Sequence, residues 1–175
     1  MAKMGVVAQS LPAGEIYQAL EKGTLDAAEF VGPYDDEKLG LNKVAPYYYY
    51  PGWFEGSAEL EFFINIKKYN ELSAENKAIL DTAMRVAASD MIAKYQAQNP
   101  QALKRLVAAG TKLRLFPKPV MDTSFKTSME VFSQHVAKSP DFKKIYEDMR
   151  VFQRDQILWN RVSEFPFNQY MNSVK

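Results

Sequence analysis

The sequence predicts a helix-rich α/β protein with short strands. Hydrophobic residues make up 47% and aromatic residues 13% of the 175 residues, which is enough to form a folded core. Long stretches of the second half repeat apolar residues every three or four positions, as amphipathic helices do. A few short segments are rich in strand-forming residues, and the helical segment between those at Thr24 and Tyr47 permits the parallel pairing of these two.

The first forty residues predict a helix, a short strand and a second short helix. Pro12 begins the first helix, and Gly23 ends it as a C-terminal cap. Thr24–Val31 is short and mixed and precedes a Gly-Pro turn, so we expect a brief strand there. Tyr34–Leu39 is expected to form one or two helical turns that stop at Gly40.

Three further segments predict strands, and one of them consists of four tyrosines. Tyr47–Tyr50 precedes a Pro-Gly turn, Leu60–Ile66 is rich in β-formers, and Lys112–Phe116 is short and apolar in part. Four consecutive tyrosines place rings on both faces of a strand. Composition alone favours plain aromatic packing, and the alternative is a strand whose second face lines a cleft.

The second half predicts a series of helices. Ser73 is a good N-cap for a helix that extends to about Gln98. Asn99 and Pro100 are expected to cap a new helix that ends at Gly110.

Two more helices are predicted, one from Pro119 and a long last one opened by Ser139, and Pro166 should kink or break the extension of the last helix. Apolar stripes on these helices predict core packing. The stripe residues are Met121, Phe125, Phe132, Val136, Phe142, Ile145, Met149 and Phe152.

Composition also excludes several functional classes. Lys and Arg number 22 against 21 Asp and Glu, so no net field attracts nucleic acid or an anionic membrane. The chain has no cysteine and one histidine, His135, which removes thiolate catalysis and Cys-ligated or His-pair metal sites. Neither a GxSxG elbow nor a glycine-rich phosphate loop occurs. No apolar stretch approaches the roughly 20 residues of a membrane span, and the first residues do not resemble a signal peptide.

Four blocks of the sequence carry a resemblance to a known family. The chain resembles the C-terminal half of the solute-binding proteins of tripartite ATP-independent periplasmic (TRAP) transporters, in the branch that binds 2-oxo acids and related carboxylates. The likeness covers essentially the whole chain, and the first two blocks are the most specific. The blocks are IYQALEKGTLDAAEFVGPYDDEKLG, VAPYYYYPGWFEG, NPQALKRLVAAGTKLR and FKKIYEDMRVFQRDQILW.

The resemblance implies a two-lobed, periplasmic-binding-protein-like fold of type II with a long C-terminal helix. Such a receptor closes on an organic acid and delivers it to the membrane subunits of the transporter, outside the cytoplasm. Residues 1–175 are then expected to be the C-terminal portion, without the strands of the first lobe and without a signal peptide. The arginine that grips the carboxylate in that family is expected before Met1, because no arginine of this chain matches its position.

The resemblance also implies site residues. Glu29 matches the position that coordinates a cation bridging protein and substrate, and oxygen ligands of this kind suit Na⁺ or Ca²⁺. Phe30 follows it where that branch commonly has Trp, and it would contribute to the same metal site. Without the resemblance, Glu29 would read as a solvated or capping carboxylate.

A second group of candidates follows the tyrosine strand. Trp53 and Glu55 either form a cleft wall against the ligand or belong to a packed turn, and Tyr50 is the tyrosine assigned to the ligand. The acidic residues Asp35, Asp36 and Glu37 are expected to be first-turn helix residues favoured by the helix dipole, and not a catalytic pair.

The expected function is therefore non-enzymatic binding of a small organic acid, weak in this chain alone because cleft closure needs both walls. The alternative is a self-associating helical module without ligand binding, in which apolar faces pair between chains as a homodimer. A small hydrolase or isomerase with Glu29 as base is a third reading, but no nucleophile or paired acid supports it.

Overall fold

The computed structural model describes residues 1–54 and 60–174. The chain divides into two compact units. One unit is Val7–Lys118, and the other joins Met1–Val6 to the chain from Pro119 onward.

The unit of residues 7–118 contains four helices and two strands in its described part. Gly23 and Gly40 follow the first two helices with φ of +68° and +69°, a conformation that glycine adopts without strain. The elements are α1 (Ala13–Glu21), α2 (Pro33–Lys38), β1 (Tyr47–Tyr50), α3 (Ile66–Glu71), α4 (Ala74–Ala108) and β2 (Lys112–Leu115). The two predicted helices before the tyrosines and the strands at Tyr47 and Lys112 are thus confirmed.

The two strands pair in parallel. The register places Tyr47 opposite Lys112 and Tyr50 opposite Leu115. Because side chains alternate along a strand, Tyr48 and Tyr50 share one face of this sheet, and Tyr47 and Tyr49 share the other. The parallel pairing expected between Thr24–Val31 and the tyrosine strand does not form, because Thr24–Val31 is loop, and the parallel partner of the tyrosines is Lys112–Leu115.

Two predicted strands do not form. Thr24–Val31 is loop, and the amide of its last residue bonds to the carboxylate of Asp36 and not to a strand. Leu60–Ile66 is also not a strand. The Asn65 side chain accepts hydrogen bonds from the amides of Lys67 and Lys68, which caps α3 and ends the extended segment.

Helix α4 is a single 35-residue helix, so the predicted break at Asn99 and Pro100 is wrong. The Ser73 hydroxyl accepts from the amide of Asn76, which confirms the predicted N-cap. Pro100 lies inside the helix on its exposed side, and it has no N–H to donate to the preceding turn. Asn99 does not cap a new helix, because its side chain bonds to α2 instead.

The second unit is helical in its described part. Its elements are α5 (Lys118–Lys138), α6 (Pro140–Asn160) and α7 (Glu164–Ser173). The Ser139 hydroxyl accepts from the amide of Phe142, which confirms the predicted start of the last long helix. That helix ends at Asn160, and Pro166 lies in the first turn of α7, where proline is tolerated.

Little apolar surface is buried. Among the described residues, the buried hydrophobic side chains are Ile16, Ala102 and Leu106. The predicted core stripe of α6 is wrong for this structure, because Ile145 is 70% and Phe152 64% exposed. None of the helices within residues 1–54 and 60–174 has the length and apolar character that crossing a membrane requires.

Candidate functional site

The loop between α1 and α2 carries the first two candidate residues. Glu29 is exposed, and its negative charge acts on the phenol of Tyr48 in β1. Phe30 is half-buried and turns toward a small hollow behind the loop. The two candidates therefore lie beside the tyrosine strand.

Asp36 ties this loop to the strand. Its side chain is buried, and its Oδ1 atom accepts from the backbone amides of Val31 at 3.4 Å and Gly32 at 3.3 Å. Its Oδ2 atom accepts from the hydroxyl of Tyr48 at 2.5 Å. One carboxylate thus joins the end of the Glu29 loop to the middle of β1.

Burial perturbs both members of this pair. Loss of solvent raises the pKa of Asp36, while the hydrogen bonds from Tyr48, Val31 and Gly32 oppose the rise. Burial also raises the pKa of Tyr48, and the bond to Asp36 and the charges of Asp36 and Glu29 raise it further. Tyr48 is therefore a neutral hydrogen-bond donor at neutral pH.

A hollow of about 70 Å³ lies between the loop, α2, β1 and the helices behind them. It is far smaller than the roughly 300–1,000 Å³ of a typical ligand site. Its volume suits a few water-sized groups. We interpret it as part of one side of a binding site and not as a complete binding site. Its lining includes Ala28, Phe30, Asp36, Asn42, Tyr47 and Tyr48.

Helix α2 is held against α4 by the two other acidic residues. The Tyr95 hydroxyl donates to Oδ2 of Asp35 at 2.5 Å. Arg105 donates two hydrogen bonds, of 2.8 and 2.7 Å, to the carboxylate of Glu37. This bidentate bond lowers the pKa of Glu37.

Asn99 adds a third link between the two helices. Its Oδ1 atom accepts from the amide of Tyr34 at 3.0 Å, in the first turn of α2. The N-cap of α2 is Gly32, which has no side chain to do this.

The acidic run is thus more than a first helical turn. Asp35 and Asp36 do lie in the first turn of α2, as expected, and all three acids also have a partner outside this helix. The sequence feature that could have indicated these contacts is a short helix with a glycine N-cap. Its three consecutive acidic residues point in different directions, so they cannot all lie on one face of the helix.

The remaining candidates, Tyr50, Trp53 and Glu55, lie at the end of the tyrosine strand and after it. Tyr50 is the last residue of β1, 46% exposed and on the face of Tyr48. Trp53 is half-buried, with its ring 4.5 Å from that of Phe54. Glu55 lies outside the described residues. Their roles remain predictions.

The opposite face of the sheet combines tyrosines with cations. The Lys112 ammonium lies 5.5 Å and the Arg114 guanidinium 5.7 Å from the ring centre of Tyr47. Tyr49 packs on Phe116 with 5.1 Å between ring centres. Tyr47, whose ring lies near the two cations, is therefore on the face of the sheet opposite Tyr48, which bonds to Asp36.

The donor set fits a hard cation only in part. Within the described residues, no group of three or more His, Cys, Asp or Glu side chains is arranged to hold a metal ion. The carboxylate of Glu29 and the backbone carbonyl oxygen of Phe30 are the oxygen ligands that Ca²⁺ or Na⁺ prefers. A cation here would need further oxygen ligands, which a bound carboxylate can supply.

Several characterised proteins are similar to this chain in sequence and in fold. The chain is 44% identical over 173 residues to the monocarboxylate 2-oxoacid-binding periplasmic protein of Nostoc sp., covering 99% of this chain and 48% of that protein. It is 47% identical, with a TM-score of 0.92, to a TRAP transporter solute-binding protein of Bordetella bronchiseptica. This mixed-occupancy dimer has copurified calcium and picolinate in one active site and an apo site in the other.

A second solved structure, the TRAP periplasmic solute-binding protein of Colwellia psychrerythraea with bound calcium and pyruvate, is 35% identical with a TM-score of 0.91. The chain covers 51% of the Bordetella protein and 52% of the Colwellia protein, while 98% and 99% of this chain are matched. It therefore spans about half the length of the relatives it matches.

These similarities confirm the resemblance and the fold class that the sequence predicts. A helix-rich α/β chain with two parallel strands matches half of a known solute-binding fold. The family model of bacterial extracellular solute-binding proteins matches residues 1–139. The chain belongs to the bacterial extracellular solute-binding protein family 7.

Proposed function

We propose that this chain supplies one wall of the ligand site of a TRAP-type receptor for a small monocarboxylate, such as a 2-oxo acid. The observation that carries the proposal is the loop of Glu29 and Phe30, which Asp36 holds beside the tyrosine strand. The receptor binds and does not catalyse, and it acts in the periplasm with the membrane subunits of the transporter. The names of the Nostoc, Bordetella and Colwellia relatives support this reading.

A cation bridges protein and ligand in this proposal. Glu29 and the carbonyl oxygen of Phe30 hold Ca²⁺ or Na⁺, and the ligand carboxylate completes the shell. A cation allows two negative groups to share one site, which the exposed Glu29 would otherwise oppose. Calcium bound with picolinate or pyruvate in two relatives supports calcium as the first choice. Tyr50, Trp53 and Glu55 remain candidates for shielding the ligand.

Isothermal titration with pyruvate, with and without calcium or sodium, tests the proposal. We expect weak, metal-dependent binding, because one wall cannot exclude water from the ligand. The change Glu29→Gln should remove the metal-dependent part, since it removes the charged ligand. Glu21→Gln, an exposed carboxylate at the end of α1, is the matched control and should bind as the wild type does.

Two results would count against this reading. If Glu29→Gln keeps the metal dependence of the wild type, the metal site lies elsewhere. If the chain alone binds pyruvate tightly, the second wall is not required and the half-site interpretation is wrong.

Self-association is the second candidate, and exposed apolar side chains of α6 and α7 favour it. Phe152 is 64%, Trp159 64% and Phe167 63% exposed. The Bordetella relative was solved as a dimer. A homodimer without ligand response, seen by sedimentation equilibrium, would favour this function over carboxylate binding.

A further inference from the structure

We propose that Asp36 is a positioning residue that sets the place of Glu29 relative to β1 without touching the ligand or the metal. This inference rests on the proposed function, because it concerns the geometry of the same site. It assigns a role to a buried acidic residue that would otherwise be interpreted only as a first-turn residue favoured by the helix dipole.

The contacts of Asp36 reach both sides of the candidate site. Its Oδ1 atom holds the amides of Val31 and Gly32, which directly follow Glu29 and Phe30 in the loop. Its Oδ2 atom holds the hydroxyl of Tyr48, the ring on which the charge of Glu29 acts. Both oxygens of one carboxylate are therefore used, one for the loop and one for the strand.

The loop depends on this side chain for its fixed position. Residues Thr24–Val31 form no strand, so no ladder of backbone hydrogen bonds holds them in place. In the described part of the chain, the amides of Val31 and Gly32 donate to Asp36. Without that acceptor, two amides lose their partner and the loop gains conformational freedom.

Asp35 provides a natural comparison in the same helical turn. Its carboxylate also accepts a 2.5 Å hydrogen bond from a tyrosine, Tyr95 of α4. It makes no bond to the Glu29 loop, and its side chain is less buried. Replacing either residue by alanine removes one tyrosine–carboxylate bond, but only replacement of Asp36 releases the loop.

The experiment measures metal binding by terbium luminescence. Terbium substitutes for calcium, and nearby tyrosine and tryptophan rings sensitise its emission, so weak binding is visible. Calcium competition then gives the affinity of the natural type of ion. The probe is added to the 175-residue chain with pyruvate present, and Glu29→Gln serves to show that the signal comes from the proposed site.

Three variants separate positioning from other roles. Asp36→Ala should weaken binding by about 10- to 100-fold, the usual effect of losing a group that orients a metal ligand. Asp36→Asn should retain most of the affinity, because its amide oxygen still accepts from the loop and its NH₂ group can donate to Tyr48. Asp35→Ala should change the affinity less than about twofold, because the tyrosine bond it removes is to α4 and not to the loop or to β1.

The outcomes distinguish this inference from the proposed function. If Glu29→Gln binds terbium as the wild type does, or the wild type does not bind it, the proposed metal site fails and this inference with it. If Glu29→Gln loses binding but Asp36→Ala behaves like Asp35→Ala, only the positioning role fails. If Asp36→Asn is as weak as Asp36→Ala, the charge of Asp36 acts directly and the positioning role is also wrong.

A second measurement does not depend on the folding of any variant. Hydrogen exchange of the wild-type chain without metal should show the amides of Val31 and Gly32 exchanging more slowly than that of Ala28 in the same loop. Unprotected amides at both positions would overturn the inference, because the loop would then not be held before the metal binds.

Discussion

At the scale of single residues, Asn99 provides a helix cap from a distance. The first turn of α2 has amides without partners inside the helix, as every helix does, and its N-cap Gly32 has no side chain. Asn99 of α4 supplies the acceptor for one of them, the amide of Tyr34. A Cβ atom on Gly32 would lie 3.6 Å from Oδ1 of Asn99, an ordinary van der Waals contact.

Replacing Asn99 by alanine should therefore destabilise the chain. We expect the free energy of unfolding to fall by about 1 kcal/mol, the usual value of a lost N-cap bond, although alanine is the better helix former. Urea denaturation followed by circular dichroism measures the change. Gln98→Ala, at an exposed neighbouring position, is the control and should not destabilise. Equal stability of the two variants would show that the distant cap contributes nothing.

Distance along the chain decided which residue contacts the sequence could predict. Ser73 and Ser139 were predictable because each hydroxyl bonds to an amide three residues ahead. The Tyr48–Asp36 bond joins residues 12 apart, and the Tyr34–Asn99 bond joins residues 65 apart, so no local pattern shows them. Glu29 and Phe30 were named through the family resemblance and not through their spacing.

At the scale of elements, α2 and α4 form the best-connected helix pair of the site. Glu37 and Arg105 lie at one end of this contact, with side chains that are 29% and 54% exposed. The bidentate bond fixes the direction of α2 as well as its distance from α4. Asp35 and Asn99 extend the contact toward the start of α2.

The Glu37–Arg105 pair should make stability depend on pH. The hydrogen bond lowers the folded-state pKa of Glu37 below its unfolded value of 4.5. The stabilisation is thus present above pH 4.5 and is lost as the pH falls through the folded-state pKa. Wild type should exceed Glu37→Gln in stability at neutral pH and match it well below pH 4.5, in urea titrations at both pH values. Glu61→Gln, an exposed carboxylate, should show no such difference.

Pro100 is the element-scale feature that the sequence predicted wrongly. A proline pattern that usually starts a helix here lies within one, because the contacts of Tyr95, Asn99 and Leu106 on one side of α4 hold the helix together across it. Local propensity is a weak prior, and tertiary packing overrides it at this position.

Pro100→Ala should consequently stabilise the chain. It restores a backbone hydrogen bond and removes a steric conflict, and we expect roughly 1–3 kcal/mol from urea denaturation. Pro33→Ala is the matched control, because Pro33 occupies the first turn of α2, where proline costs nothing. If both variants are equally stable, the strain at Pro100 is relieved in some other way.

At the scale of the whole molecule, the chain exposes more surface than a folded protein of its size. Its accessible surface is 14,144 Å² for 20.0 kDa. A compact monomer of that mass exposes about 8,700 Å². The difference is larger than the area that most stable interfaces bury. Its apolar part includes Ile145 and Phe152 of α6, in a stripe that the sequence predicts as core.

Exposed apolar surface of this extent should cause self-association. We expect sedimentation equilibrium to show an average mass that rises with concentration. Phe152→Glu should reduce the rise, since Phe152 is 64% exposed on α6, whereas Gln156→Glu on the same helix should not. A wild-type chain that stays monomeric throughout would show that these side chains do not drive association.

The continuity of α4 has one further consequence, for measurement. At 1.5 Å per residue, exposed positions Glu75 and Gln98 are separated by about 35 Å along the helix axis. Pro100 acts on the turn that begins at residue 96, so most of the interval lies before any bend that the proline introduces. Spin labels at these two positions would therefore provide a known reference distance within the protein. A third label on the Glu29 loop would then report, in ångströms, how far that loop travels when a carboxylate binds.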